Sequence, residues 1–145
     1  MKKLALLFVC IFAFQLAVFA DDDKPVTFEQ LPQVAQQFIG KHFAGKTISL
    51  AKIEGGILEK SYDVIFSDGN KLEFDRKGQW TDIDCKYSEV PESAVPQQIA
   101  DYVAVKHKGV KILKIEREKG RYDVDLSNGW ELTFDKKFNV VDIDR

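Results

Sequence analysis

The chain has 145 residues, 45% of them hydrophobic, with 21 lysines and arginines against 23 aspartates and glutamates. A formal charge of −2 lacks the basic balance expected for binding nucleic acid or anionic lipid. A chain of this length buries enough apolar surface to fold without a metal or a disulfide.

The start has the three parts of a secretory signal: Met1-Lys2-Lys3, an apolar run from Leu4 to Phe19, and Ala20 before Asp21-Asp22-Asp23. The run of 16 residues is shorter than the roughly 20 that span a bilayer, so residues 1–20 are expected to be cleaved rather than kept as an anchor. Val9 precedes Cys10 where a lipoprotein signal needs a small residue, which argues against lipidation. Cleavage removes Lys2 and Lys3, leaving 19 basic against 23 acidic residues, a net charge of −4. The mature chain is therefore expected in the periplasm or cell envelope, with no stable membrane insertion. Cys85 is then its one cysteine, expected as a small apolar residue at a strand end.

Residues 21–26 are polar and expected to be loose. Phe28, Leu31, Val34, Ala35, Phe38 and His42 or Phe43 recur at spacings of three and four, the stripe of an amphipathic helix. Thr27 is placed to cap it, Pro32 fits its first turn, and Gly45 ends it. Four strands come next. They run through residues 47–54, around Tyr62, Val64 and Phe66, through Leu72 and Phe74, and through Thr81 and Ile83, with Asp68-Gly69 as a hairpin turn. Residues 27–85 thus form a first unit and 86–91 a linker. Residues 92–145 repeat the order, with Pro96 standing where Pro32 stood and Asn128-Gly129 as the matching turn.

The repetition is literal. Between residues 62–84 and 122–144, 12 of 23 positions are identical without a gap: Tyr62/Tyr122, Asp63/Asp123, Val64/Val124, Ser67/Ser127, Gly69/Gly129, Leu72/Leu132, Phe74/Phe134, Asp75/Asp135, Lys77/Lys137, Asp82/Asp142, Ile83/Ile143 and Asp84/Asp144. Chance would give about one or two. The expected fold is α+β: a tandem repeat of one helix plus a four-stranded antiparallel meander, joined into one curved sheet with both helices on one face.

Leu31-Pro32, Lys41-His42-Phe43, Tyr62-Asp63-Val64, Asp68-Gly69, Leu72-Glu73-Phe74-Asp75 and residues 80–84 resemble the PepSY-like family of secreted bacterial proteins. Val95-Pro96, Lys106-His107, Tyr122-Asp123-Val124, Asn128-Gly129 and residues 132–135 carry the same pattern in the second copy. The resemblance implies a fold similar to the β-lactamase-inhibitor protein, whose open sheet face holds a partner, and it carries no catalytic residues. Related modules in the propeptides of secreted metallopeptidases make inhibition or protein binding the implied class. The second copy departs from the pattern at Trp130 for Asn70, Phe138 for Gly78 and Val140 for Trp80.

Nothing in the residues themselves argues for an enzyme. His42 and His107 fall at helix ends, where an imidazolium would gain from the helix dipole. No nucleophile elbow and no zinc motif is present, and no cofactor is expected. Carboxylates two apart on a strand share a side, so Asp82 with Asp84, Asp123 with Asp125, and Asp142 with Asp144 are expected on an acidic open sheet face together with Asp63, Glu73, Asp75, Glu131 and Asp135. These pairs, with Trp80 and the turn aromatics Trp130 and Phe138, form the candidate docking surface for an unidentified envelope or secreted protein, such as a peptidase. The alternative is a small-ligand or divalent-cation binding protein, for which no liganding loop is visible.

Overall fold

The computed structural model describes residues 23–145. The expected signal peptide, residues 1–20, lies outside the described residues. The strands are β1 (Lys24–Pro25), β2 (Ile48–Glu54), β3 (Ser61–Phe66), β4 (Lys71–Asp75) and β5 (Trp80–Asp84), then β6 (Ile112–Glu118), β7 (Arg121–Leu126), β8 (Glu131–Phe134) and β9 (Val140–Asp144). Helix α1 (Gln33–His42) precedes β2, and α2 (Gln97–Lys106) precedes β6.

This arrangement corrects the expected architecture. The protein is not a tandem of a helix and a four-stranded meander with both helices on one face. It is one nine-stranded antiparallel sheet in the order β1 to β9, accompanied by only two short helices among the described residues. The ninth strand comes from the segment expected to be loose: Lys24 and Pro25 pair with Ile53 and Lys52, and Val26 N–H donates to the Ala51 carbonyl at 2.8 Å. The sheet is also continuous where a boundary between units was expected, because Asp82, Ile83 and Asp84 of β5 pair with Glu116, Ile115 and Lys114 of β6.

Register sorts the side chains into two ladders, since cross-strand partners share a face. One ladder runs Ala51, Val64, Leu72, Ile83, Ile115, Val124, Leu132, Ile143. All of these are buried except the last, Ile143, which is 48% exposed on the outermost strand. The other ladder runs Lys52, Asp63, Glu73, Asp82, Glu116, Asp123, Thr133, Asp142 and is polar throughout.

Each helix sets an aromatic ring against a phenylalanine of the sheet. Phe38 of α1 meets Phe74 edge-to-face at 5.8 Å, and Tyr102 of α2 meets Phe134 likewise at 5.5 Å. The first helical stripe differs from the expected one. Leu31-Pro32 breaks it, leaving a 3-10 turn at Phe28–Gln30, where the Gln30 side chain accepts from Thr27 N–H at 2.8 Å, ahead of α1. The buried helical residues are Ala35 and Ile39, while Val34 is 49% exposed. Gly78, at φ +83°, sits where a Cβ would lie 2.7 Å from Pro32 Cβ and 3.0 Å from Ala35 N, so the turn before β5 seats the start of α1. Its counterpart Phe138 also has positive φ, 64°, but carries a ring.

Candidate functional site

The polar ladder is not uniformly acidic, and the difference lies in two residues. In β2 and β4, Lys52 and Lys71 flank Asp63: Lys71 Nζ lies 3.1 Å and Lys52 Nζ 3.8 Å from Asp63 Oδ2. Lys52 also pairs with Glu54 and with Asp23, and Lys71 with Glu73 at 2.8 Å. The equivalent positions beside Asp123 hold Glu116 and, sixty residues beyond Lys71, Glu131. The same aspartate therefore lies between two lysines in one half and among acids in the other.

Burial follows the lysines. Asp63 is 1% exposed and Asp82 9%, so neither stands on a solvated acidic face as the alternation of the strand implies. Desolvation raises Asp63 against the pull of Lys71. Asp82 is pushed up to about 6 by burial, with Lys114 opposing and Glu73, Glu116 and Asp84 adding to the shift. Its Oδ1 is buried without a hydrogen bond, 3.8 Å from Lys114 Nζ. Asp84 is half-buried, and its carboxylate accepts from Lys86 N–H.

The other half of the face is open. Asp123, Glu131, Asp142 and Asp144 are exposed and Asp125 is half-buried. None of these five makes an ion pair among the described residues. Asp123 accepts from the Thr133 hydroxyl at 2.8 Å, and desolvation raises Asp125. β7 to β9 thus present a block of carboxylates with little to neutralise it.

The aromatic candidates lie elsewhere. Trp80, Trp130, Phe138 and Val140 are half-buried and pack against the core. Trp80 lies under the Arg117 guanidinium at 4.4 Å, which also donates to the Trp80 carbonyl at 2.6 Å, and its ring is 6.4 Å from Tyr122. Phe138 leans on the other side of Tyr122 at 5.2 Å. Trp130 is covered by Arg145 at 5.4 Å. These rings pack against the core, on Arg117, Tyr122 and Arg145, and are not assembled with the aspartates. Arg117 and the lysines 52, 71 and 114 were missed from sequence, although the change from Lys71 to Glu131 was visible there.

The remaining reactive groups are quiet. His42 bonds through Nδ1 to Ser93 Oγ at 2.8 Å, tying the end of α1 to the 3-10 turn at Glu92–Ala94. Burial, then Lys41, lowers its pKa, which works against the imidazolium form at this helix end. Cys85 is buried, and desolvation pushes its thiol up to about 12, which leaves almost no nucleophilic thiolate. A cleft of about 200 Å³ between α2 and the start of β6 is lined largely by Val90, Val95, Val103, Val110 and Ile112. Among the described residues, no group of three acidic, histidine or cysteine side chains is arranged to hold a metal. No helix among them is long and apolar enough to cross a membrane.

Residues 60–142 match a family model described as "Putative beta-lactamase-inhibitor-like, PepSY-like". Among solved structures, a "putative periplasmic protein" from Bacteroides vulgatus is 56% identical, with a TM-score of 0.83 over 87% of this chain and 99% of that one. A "putative calcium-regulated periplasmic protein" from Bacteroides thetaiotaomicron is 52% identical, with a TM-score of 0.82 over 85% and 97%. A periplasmic protein of unknown function from Bacteroides vulgatus is 38% identical, with a TM-score of 0.77 over 85% and 99%. No functionally curated protein matches the chain.

Proposed function

Because the chain belongs to the PepSY-like, beta-lactamase-inhibitor-like family, we propose that it is a non-enzymatic binding module of the periplasm whose open sheet face docks a protein partner. The observation that carries this is the asymmetry of the polar ladder: Asp123, Asp125, Glu131, Asp142 and Asp144 stand together without ion pairs among the described residues, while Asp63 lies between Lys52 and Lys71. Maintaining like charges side by side on adjacent strands costs stability. A surface that bears that cost is suited to a basic segment, with steering of the encounter as its main electrostatic gain. Restraint of a secreted peptidase is one form such binding takes in related modules.

The test is capture from an envelope extract of the native host by the mature domain and by its Asp123→Lys/Asp125→Lys variant. Charge reversal is the better probe than removal of Trp130, because that ring packs on the core. One protein retained by the native domain at low salt, and reduced at least about tenfold by the variant, is the expected result. Equal recovery by both baits would count against the acidic face.

One observation favours divalent-cation binding as a second reading. Asp82 Oδ1 is buried without a hydrogen bond, and its cross-strand neighbours are Glu73 and Glu116. The relative described as calcium-regulated points the same way. Lys114 lies 3.8 Å from that oxygen and would have to move aside. A melting temperature that rises with calcium and falls back with chelator is the outcome this reading requires.

A further inference from the structure

The two ends of the sheet are unequal. At one end, β1 is two residues long and includes Pro25, which has no N–H to offer a neighbour. At the other end β9 is five residues long, its Val141 and Ile143 are 47% and 48% exposed, and no strand among the described residues pairs with its outer edge.

The molecule contains its own template for what such an edge accepts. Asp142-Ile143-Asp144 repeats Asp82-Ile83-Asp84 of β5, and the outer edge of β5 is filled by β6, with Ile115 opposite Ile83 and Lys114 opposite Asp84. Cys85 N–H donates to the Leu113 carbonyl at 2.8 Å; alternate amides of a strand point the same way, so Ile83 N–H faces β6 as well. The equivalent amides of β9 are those of Ile143 and Arg145. Among the described residues they have no neighbouring strand and donate instead to the preceding side chains, Ile143 N–H to Asp142 Oδ1 at 3.0 Å and Arg145 N–H to Asp144 Oδ1 at 2.7 Å.

We propose that the outer edge of β9 is a strand-acceptor site. It takes an extended segment of another polypeptide, added antiparallel, with an aliphatic residue opposite Ile143 and a lysine or arginine opposite Asp144. The incoming carbonyls replace the aspartate carboxylates on the two amides, and the released carboxylates meet the incoming cation. Lys114, placed opposite Asp84 and 3.8 Å from Asp82, shows how one cation serves both acids. The aliphatic residue covers Ile143 as Ile115 covers Ile83, which is fully buried.

A second copy of the chain is a poor occupant. Antiparallel pairing of two β9 strands centred on Ile143 sets Asp142 against Asp144, a repulsive pair, and β1 offers too short an edge. The inference rests on the binding-module reading and specifies how the partner docks: through the outer backbone edge of β9, with Asp142 and Asp144 as the part of the acidic face that borders it.

The probe is a synthetic peptide of residues 110–118, which holds the Lys114-Ile115 pair, alongside the same peptide with Lys114→Glu. Binding is followed by fluorescence anisotropy, and amide exchange is followed at Ile143 and Arg145. The expected result is binding with slowed exchange at both amides, weakened about tenfold by the peptide's charge change and by Ile143→Pro, which removes one outward amide. Asp142→Lys/Asp144→Lys serves in place of Ile143→Pro should the proline variant not fold, and is expected to favour the glutamate peptide. Glu59→Lys, exposed in the loop between β2 and β3 and remote from β9 in the strand order, is expected to change binding less than about threefold. No binding, or binding without protection of Ile143 and Arg145, overturns the proposal. A dimer of the protein alone in sedimentation, abolished by Ile143→Pro, would overturn it in favour of a second copy. Sensitivity to Asp123→Lys/Asp125→Lys but not to Ile143→Pro would sink the edge while leaving the face standing.

Discussion

Replacing Phe74 by alanine is expected to destabilise the protein by about 3–5 kcal/mol, seen as a lower urea midpoint with an unchanged slope. Phe74 has no exposed surface, lies edge-to-face on Phe38 of α1, and pairs across the sheet with Tyr62 on one side and Trp80 on the other. Its removal leaves a ring-sized void under the helix that the flanking strands cannot close without breaking their ladders. Since small domains have roughly 5–15 kcal/mol of stability in total, a loss of this size approaches unfolding at 37 °C. Ile143→Ala is the control. It deletes a half-exposed aliphatic on the outermost strand, and the expected cost is under about 1 kcal/mol. Comparable losses at the two positions would mean that burial along the apolar ladder does not end at β8.

The second large effect has the opposite sign: Asp82→Asn is expected to stabilise the protein at pH 7.5. Burial raises Asp82 from 3.8 to about 6 in the folded state. The folded protein then binds more protons than the unfolded chain between these values, so stability falls as pH rises through this window. The rise from 3.8 to about 6 corresponds to roughly 3 kcal/mol. That value already includes the Lys114 attraction; the buried asparagine amide, left short of hydrogen-bond partners, offsets part of it, leaving an expected gain of about 1–2 kcal/mol. Asp63, raised by the same cause, contributes in the same direction and remains in the variant. Thermal melts of both proteins from pH 4 to 8 check this: the native curve descends across the window and the variant's descends less. The same melts with calcium separate the two functional readings. A calcium-dependent rise that the variant loses would place a cation at Asp82, whereas no rise in either protein leaves the docking role.

What was legible in the sequence is what repeats locally. Tyr62-Asp63-Val64 and Asp68-Gly69 carry strand alternation and positive-φ turn chemistry within a few residues, and so do their copies. The two-residue β1 has no alternation to reveal it; Lys24 and Pro25 are strand only because β2 lies beside them. Burial of Asp63 and Asp82 was likewise hidden, because each shares its strand pattern with an exposed copy, Asp123 or Asp142. The difference is made by Lys52, Lys71 and Lys114 on neighbouring strands, and only register shows which aspartate each lysine faces. Trp130 and Phe138 break the symmetry as read, yet the rings turn inward. Tyr122 and Arg145 supply the surfaces that hold them.

The two halves therefore differ in charge pairing more than in fold. One half pairs lysines with its acids. The other leaves its acids available and ends in an open strand, a division suited to a scaffold on one side and a receptor on the other.

The most direct test of the docking role is the association rate of the captured partner with the mature domain, measured by stopped-flow fluorescence across ionic strength. The expected rate falls about tenfold or more between roughly 0.01 M and 0.5 M salt, and the Asp123→Lys/Asp125→Lys variant gives a flat, slow profile. A rate indifferent to salt, or a variant as fast and as salt-sensitive as the native domain, would contradict docking on the acidic face.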